Sequence, residues 1–448
     1  MRSTLCTLPA SSFRPLAGLT LAALLALPAQ SSATEKQAAY GARPVLPTPD
    51  TSHKAQRYNT QKAWPEGKMP TAPEGFVVTP FARDLESPRW VYVLDNGDVL
   101  VAQARTLPKK SAGKKTDPDE KKKADGQKRS GTVTGDSPNR ITLLRDTDND
   151  GLAEERHVLL ETLNQPFGMV YIAPYLYVAN TDGVMRFPYE AGQTDIDDPG
   201  EKIMSLPAGG YNNHWTRNII ASADQTQLLV SVGSASNAAE YGMAEEARRA
   251  NILSIDLDGK NEKVFGFGLR NPNGMAFEPK TGKLWTAVNE RDNLGDDLVP
   301  DYITSVQPGG FYGWPYSYWG KNRDPRVEGG DDLVARAIVP DYAMGNHTAS
   351  LGLTFYTAQA FPARYRGGAF VGQRGSWNRS TFSGYKVAFV PFKNGVPAGP
   401  IEDFLTGFMP DAKSGDTYGR PVGVAVDARG GLLVADDTGN AVWRVAPK

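Results

Sequence analysis

The sequence predicts an all-β protein, a six-bladed β-propeller of four-stranded antiparallel blades with long loops over one face. Three observations support this fold class. A pattern of two short apolar strands around a polar or Gly turn recurs six times, at a near-regular spacing of roughly 60 residues, and helical periodicity is nearly absent. Because common propeller repeats span only ~40 to 50 residues, this spacing also predicts long loops between strands.

The six repeating units follow one another along most of the chain. They are WVYVLDNGDVLVAQA from Trp90, FGMVYIAPYLYVANTDGVMRF from Phe167, RNIIASADQTQLLVSVGS from Arg217, NGMAFEPKTGKLWTAVNE from Asn273, GLTFYTA through GGAFVGQRGSWN from Gly352, and VGVAVDARGGLLVADDTGNAVWRV from Val422. Alternating apolar residues around Asn-Gly, Thr-Gly or Gly-Gly predict hairpins. A β-sandwich would explain the strands equally well, but not the regular recurrence of one hairpin.

Helical patterning is weak throughout, and the best candidate for a helix is a short one from Glu245 to Ala250. The turn DTDNDGLAEE from Asp146 has the D-x-D-x-D-G start of a calcium loop, but His157 replaces the glutamate that an EF-hand needs at position twelve. The flanking segments resemble strands, so the sequence predicts a hairpin turn here. Calcium binding at this turn stays open.

Residues 1–33 predict a signal peptide. Arg2 and Arg14 precede an apolar run at residues 16–27, and small residues up to Ala33 follow this run. That run is too short for the ~20 residues that span a bilayer. The sole cysteine, Cys6, lies in this segment. We therefore expect a periplasmic or secreted protein with neither a membrane span nor a disulfide.

Three further boundaries follow from composition. Residues 34–72 are polar and Pro-rich and predict an N-terminal arm, and residues 73–448 predict the propeller. Residues 106–138 form a mixed-charge insertion that we expect to be disordered, because it has little apolar surface to bury. The formal net charge of −1 gives no reason to expect a nucleic-acid partner.

Polar side chains crowd the connections between strands in the middle of the chain. The motifs LRNPNG, NERDNLGDDLVPD and GGFYGWP lie between residues 266 and 315, and loops on a rigid scaffold often carry function. A plainer explanation exists for part of this stretch, since Asn-Pro-Asn-Gly is a good turn. The many oxygen ligands of NERDNLGDDLVPD suit a hard cation such as Ca²⁺.

Two of the four histidines are candidates for a general base. His214 lies in YNNHWTRNI, directly before a predicted inner strand, and His347 lies in GNHTASLGLTFY. An unperturbed imidazole has a pKa near 6.5, which suits proton transfer at neutral pH. By sequence alone, a hydrogen-bonded loop residue is the favoured explanation of His214, and the choice between the two histidines stays open.

These motifs, read with His214 upstream and with GQRGSWNRS and YGRPVGV downstream, resemble the soluble sugar dehydrogenases that use pyrroloquinoline quinone (PQQ), in particular their sorbosone dehydrogenase branch. The resemblance implies His214 as the base and Arg270 as the catalytic cation beside the quinone. It also implies PQQ-binding roles for Gln165, Arg270, Asn271, Arg291, Arg374, Arg379 and Arg420. Arginine suits this task because its guanidinium pairs with carboxylates in a bidentate manner.

The resemblance further implies Ca²⁺ at Asp292 and Asn293, where related glucose dehydrogenases have Gly-Pro, so backbone and side-chain ligation both stay open. The implied activity is oxidation of a sugar, alcohol or aldehyde hydrate, with electrons passing to a quinone, cytochrome or dye. Two alternatives use the same fold: a metal-dependent lactonase-type hydrolase and a non-catalytic binding propeller. The hydrolase would centre an ion on acidic and amide side chains and would not need several arginines.

Overall fold

The computed structural model describes residues 39–52, 55–107, 118–133 and 135–448. Six four-stranded antiparallel sheets form a ring, which confirms the six-bladed propeller. Three strands precede the first complete blade: β1 (Tyr40–Gly41), β2 (Thr60–Gln61) and β3 (Phe76–Ala82). The predicted signal peptide lies outside the described residues.

Each blade is a meander that begins at the central channel. The first three blades comprise β4 (Pro88–Val93), β5 (Val99–Gln103), β6 (Arg140–Arg145) and β7 (Glu155–Leu160); β8 (Met169–Ile172), β9 (Tyr175–Asn180), β10 (Gly183–Pro188) and β11 (Glu201–Ser205); and β12 (Arg217–Ala221), β13 (Gln227–Val232), β14 (Asn251–Asp256) and β15 (Lys263–Phe267). The six hairpins found in the sequence are the two innermost strands of the six blades.

The last three blades have the same plan with longer connections. They comprise β16 (Pro272–Phe277), β17 (Leu284–Val288), β18 (Pro300–Ser305) and β22 (Tyr342–Asn346); β23 (Ser350–Phe355), β24 (Ala369–Gln373), β25 (Lys386–Val390) and β28 (Glu402–Leu405); and β30 (Pro421–Val426), β31 (Leu432–Asp436) and β32 (Ala441–Pro447) with β3. Short strands decorate the loops: β19 (Gly310–Phe311), β20 (Ser317–Tyr318), β21 (Asn322–Arg323), β26 (Phe392–Lys393), β27 (Val396–Pro397) and β29 (Asp416–Thr417).

The two ends of the propeller close the ring by pairing in one blade. β3 runs antiparallel to β32, with Phe76 opposite Pro447, so an early segment supplies the outermost strand of the sixth blade. Apolar clusters fill the space between neighbouring blades, and the cluster around Val91, Val101 and Leu433 joins the sixth blade to the first. Opening the ring would therefore break both a strand pair and an apolar interface.

The innermost strands approach closely around the channel. A Cβ atom on Gly274 would lie 2.4 Å from the backbone nitrogen of Leu353, and one on Gly352 would lie 2.1 Å from the carbonyl oxygen of Val422. Glycine at these positions lets the fourth, fifth and sixth blades pack backbone to backbone. The start of each inner strand is thereby held near the channel axis.

The helices differ from those that the sequence predicts. The prediction of a helix from Glu245 to Ala250 is wrong; these residues form turns, since Arg248 and Ala250 have φ of 59° and 53°. Helix α1 (Pro118–Arg129) lies inside the insertion expected to be disordered, and helix α2 (Asp331–Ala335) precedes β22. The insertion departs from the expectation because α1 packs against the arm: Gly126 lies against the ring of Tyr58.

The described part of the arm runs over the propeller surface. β1 pairs with β22, β2 pairs with β29 in parallel, and Trp64 donates from Nε1 to Asp436 at 2.9 Å. The acidic turn predicted at Asp146 connects β6 to β7, as a hairpin turn should, and Arg429 forms an ion pair with Asp146. Among the described residues, no helix has the length and apolar character needed to cross a membrane.

Candidate active site

A cup of about 430 Å³ lies where the loops before the innermost strands meet. Its lining draws on five blades, through Arg89, His214, Arg270, Arg374 and Arg420. A larger cavity of about 550 Å³ lies beside β7 and β11, but the described residues that line it include none of the predicted site residues. The cup is therefore the candidate active site.

His214 is held in the orientation and charge state of a base. Its Nδ1 lies 2.8 Å from the carbonyl oxygen of Ser234 and 2.9 Å from the Ser234 hydroxyl. Because a carbonyl only accepts hydrogen bonds, Nδ1 carries the proton and Nε2 keeps its lone pair. Burial in the cup, together with the positive charge of Arg270, lowers the pKa of His214 well below 6.5. The imidazole is thus neutral at pH 7.

Arg270 is fixed beside Asp292 on the wall of the cup. Its Nη2 donates to Asp292 Oδ2 at 3.1 Å and to Asn237 Oδ1 at 2.8 Å, while Nη1 donates to the carbonyl oxygen of Glu290 at 2.6 Å. Burial alone would raise the pKa of Asp292, but the nearby His347 ring and the charge of Arg270 lower it to about 2. This carboxylate is therefore ionised.

Three arginines lie near a single carboxylate on the other side of the cup, and two of them pair with it. Asp437 Oδ2 accepts from Arg89 Nη1 at 2.5 Å and from Arg374 Nε at 2.6 Å. Arg420 has no carboxylate partner among the described residues, and its donors go to the carbonyls of Arg374 and Gly375 and to the hydroxyl of Thr132. Burial, followed by the charge of Arg374, lowers the pKa of Arg420 to about 10. The Arg420 guanidinium therefore carries a positive charge that no carboxylate among the described residues pairs with.

The chemistry of the cup fits an anionic, hydrogen-bonding ligand. Asn271 Oδ1 and Asn273 Oδ1 are buried and have no hydrogen-bond partner among the described residues, although both residues line the cup. Glycine at Gly233 leaves room for one of them, since a Cβ there would lie 2.4 Å from Asn271 Oδ1 and 2.6 Å from the His214 Cβ. Unmatched cations and orphaned amide oxygens are costly unless a ligand or water satisfies them.

A cation could be held most directly by the Asp292 carboxylate. The carbonyl oxygen of Asp292 already accepts from Asn237 Nδ2 at 3.0 Å and from Arg326 Nη1 at 2.8 Å. The Asn293 carbonyl accepts from Arg326 Nη1 at 3.3 Å, and Asn293 Oδ1 accepts from Asn378 Nδ2 at 3.0 Å. These contacts favour side-chain over backbone ligation at this loop. Asn293 lines the same cup as Asp292.

Three residues expected to bind the cofactor do not line the cup in the described structure. Arg291 is fully buried on the opposite side of its loop, where Glu290 and Asp324 pair with it. Arg379 pairs with Asp297 at 2.8 Å. Gln165 donates to the carbonyl oxygen of Arg105 at 2.7 Å, so its amide is used within the fold. In each case the side chain already forms an ion pair or a hydrogen bond with another protein group.

His347, the alternative base, also lies behind the cup wall. Its Nε2 donates to the carbonyl oxygen of Gly295 at 3.1 Å, and Nδ1 lies 3.7 Å from Asp292 Oδ1. Burial opposes the charged form, but the nearby carboxylate of Asp292 raises the pKa of His347. Both ring nitrogens face protein acceptors, which suits a residue that orients Asp292.

Arg89, Asn237 and Thr132 line the cup, and the sequence did not single them out. Arg89 is the second residue of the innermost strand of the first blade, Arg270 lies two residues before that of the fourth, and Arg420 directly precedes that of the sixth. Comparing this position between units could have found Arg89. Thr132 had no such signal, because it belongs to the insertion.

Comparison with known proteins gives a consistent result. A family model described as TrAA12-like matches residues 137–311 and 324–448. The chain is 28% identical over 299 residues to an uncharacterized protein of Borreliella burgdorferi, covering 64% of this chain and 77% of that one. It is 24% identical over 311 residues to a pyrroloquinoline quinone-dependent sugar dehydrogenase of Hypocrea jecorina, covering 60% and 70% of the two chains.

Solved structures share the fold. A Trichoderma reesei enzyme of carbohydrate-active family AA12, in a calcium structure, superposes with a TM-score of 0.68 at 20% identity, covering 85% of this chain and 97% of that chain. The PQQ domain of pyranose dehydrogenase from Coprinopsis cinerea, in its holo form, gives 0.67 at 20% identity over 86% of this chain and all of that chain, 100%.

Proposed function

We propose that this chain, which belongs to the TrAA12-like family, is a PQQ-dependent dehydrogenase that oxidises a sugar or a related alcohol or aldehyde hydrate. One observation carries the proposal: a neutral histidine base and a group of under-compensated arginines face the same cup. A base alone would suit many reactions. A base beside a cradle for several carboxylates suits an anionic quinone cofactor much better.

Arg374 and Arg420 would hold the carboxylates of the quinone, with Arg89 as a third cation. Arg374 and Arg89 share the single carboxylate of Asp437, and Arg420 has none in the described chain, so the trio can accept more negative charge. Asn271 lines the same cup, and its unsatisfied amide oxygen could accept a hydrogen bond from a ligand or substrate. Bound PQQ would supply the two-electron acceptor for hydride.

His214 would remove the hydroxyl proton of the substrate through Nε2. The Ser234 carbonyl fixes the tautomer, and the depressed pKa keeps the base unprotonated at neutral pH. Arg270 would stabilise negative charge that develops at the reacting centre, since hydrogen bonds to four residues, including Asn237 and Asp292, fix it before the reaction begins.

Asp292 would hold Ca²⁺ at the cup, with Asn293 as the second predicted ligand. A hard cation prefers oxygen ligands, and the Asp292 carboxylate is ionised and lines the cavity. We further propose that the substrate is a sorbosone- or aldose-type sugar, that a quinone, cytochrome or dye accepts the electrons, and that the protein acts in the periplasm or outside the cell. The predicted signal peptide supports the last point.

One assay separates the proposal from its rivals. Purified apo-protein is given PQQ and Ca²⁺, and dye reduction is followed with aldoses, sorbosone and lactones. We expect sugar-dependent dye reduction only when PQQ is present. Lactone hydrolysis that persists without PQQ would instead support the metal-dependent hydrolase. A protein that neither binds PQQ nor turns over any substrate would have to be a binding propeller.

A further inference from the structure

Helix α1 and part of the arm cover the cup. Lys123 and Gln127 of α1 line the cavity, as do Gln56 and Tyr58 of the arm. We call α1 together with residues 55–59 the roof. His214 and the arginines line the same cavity, so a substrate at His214 would share that cavity with the side chains of the roof.

The roof has a built contact at its centre. Gly126 lies directly on the ring of Tyr58, where a Cβ atom would come within 2.3 Å of the ring carbons. Tyr58 in turn stacks on Trp377 with ring centroids 5.7 Å apart and an interplanar angle of 19°. Lys123 Nζ lies 5.1 Å from the Trp377 ring centroid. Helix, arm and fifth blade thus form one continuous cover.

The end of the same segment reaches the arginines. Thr132 Oγ1 accepts from Arg420 Nη1 at 3.2 Å and from Arg374 Nη2 at 3.4 Å, and the buried Ser130 hydroxyl lies 3.0 Å from Thr132 Oγ1. Gly131 packs against Gln61 of the arm, since a Cβ atom on Gly131 would lie 3.1 Å from the Cγ atom of Gln61. The residues that follow α1 therefore anchor the roof both to the arm, at Gln61, and to the side chains of Arg374 and Arg420.

We propose that the roof makes the enzyme specific for single sugar rings and excludes the ends of longer saccharides. The proposal rests on the proposed function. A cavity of about 430 Å³ lies near the lower end of the ~300 to 1,000 Å³ that pockets for one drug-sized ligand occupy. Here the cavity must take both a tricarboxylate cofactor and the substrate. A second sugar ring would have to occupy the positions of Tyr58, Lys123 and Gln127.

Two variants test this inference. In the first, a Gly-Ser linker of equal length replaces residues 118–129, which removes α1 and leaves Ser130 and Thr132 in place. In the second, Gly126→Leu forces α1 away from Tyr58. Lys122→Ala is the matched control, because Lys122 is exposed on the same helix and does not line the cup. Melting temperature and circular dichroism establish that each variant is folded.

The main measurement is kcat/KM by dye reduction for monosaccharides and for disaccharides that carry the same reducing ring. We expect the wild type and Lys122→Ala to prefer monosaccharides. Both roof variants should raise the disaccharide-to-monosaccharide ratio about tenfold or more, the usual range for removing a steric restriction in a pocket. The rate of PQQ release, followed by its absorbance, should rise as well, which gives a readout independent of turnover.

The outcomes are distinguishable. A folded, active roofless variant with an unchanged ratio would overturn the inference about the roof and leave the proposed function intact. A wild type that oxidises disaccharides as well as monosaccharides would do the same. A wild type that binds PQQ but oxidises no sugar would overturn both.

Discussion

The arginine cluster makes a quantitative prediction possible, because one carboxylate pairs with two of its three cations and the third has none in the described chain. Asp437 is 3% exposed and accepts from Arg89 and Arg374 through a single oxygen. Asp437→Asn keeps the shape of this side chain and removes its charge. The variant should be less stable without cofactor, and the anionic cofactor should restore more stability to it than to the wild type.

The expected size follows from burial. Removing one partner of a buried ion pair typically costs about 3–5 kcal/mol. The state of Arg89 points in the same direction. Burial lowers its pKa to about 10 from 12.5 even though the charge of Asp437 opposes the shift, so loss of that charge would disfavour the cation further. With an unfolding entropy of ~2 cal/mol/K per residue over roughly 400 residues, we expect Tm to fall by about 4–6 °C.

Scanning calorimetry of apo-protein with and without saturating PQQ measures both effects. The control is Asp403→Asn, which removes a carboxylate that is 55% exposed and pairs with Lys386, and which should leave Tm and its response to PQQ unchanged. If Asp437→Asn left the apo Tm unaltered, the cluster would not be short of negative charge. A smaller PQQ-induced rise in Tm than in wild type would contradict the assignment of these arginines to the cofactor.

Four further outcomes are expected at the cup. His214→Ala should abolish dye reduction while PQQ affinity, measured by difference spectra, stays close to wild type; loss of both would make His214 a cofactor or folding residue. Because the pKa of His214 lies well below 6.5, the base is neutral above that pKa, and kcat should persist as pH falls through 6.5; a loss centred at 6.5 would contradict this. Ser234→Ala keeps the carbonyl that accepts from Nδ1, so it should lower kcat severalfold with little change in KM. Arg420→Ala should weaken PQQ binding roughly tenfold to a hundredfold in equilibrium titrations, the loss of ~1–3 kcal/mol expected for a charged hydrogen bond, and unchanged affinity would place it outside the cofactor site.

The fold could be predicted because its inner hairpins are local. Turns such as Asn96-Gly97 and Thr281-Gly282 fix two strands within about twenty residues, and the alternation of apolar residues is visible there. The ring closure between β3 and β32 joins segments more than 350 residues apart in sequence, and no local pattern indicates it. The outer strand β22 could not be predicted for the same reason, since a long loop separates it in sequence from its partner β18.

The site could be predicted where residues occupy equivalent blade positions, and not where orientation decides. His214, Arg270 and Arg420 lie at the starts of inner strands and meet at the cup. Arg291 and Asp292 are neighbours in sequence, yet only Asp292 faces the cavity, because Glu290 and Asp324 pair with Arg291 on the other side. Neither composition nor spacing reveals on which side of an irregular loop a side chain lies.

The charge states of the cup imply that neither its attraction for an anion nor the charge of the base changes with pH near neutrality. Arg420 and Arg89 have pKa values lowered to about 10, so both remain cationic at pH 7, and the pKa of Asp437 is lowered, despite its burial, by Arg374 and Arg89. The attraction for an anion is therefore constant from weakly acidic to weakly alkaline pH. His214 is neutral over the same range because burial and Arg270 disfavour its protonation. The positive charge that would hold the proposed cofactor thus also helps to keep the base neutral, since protonation of His214 would place another cation close to Arg270.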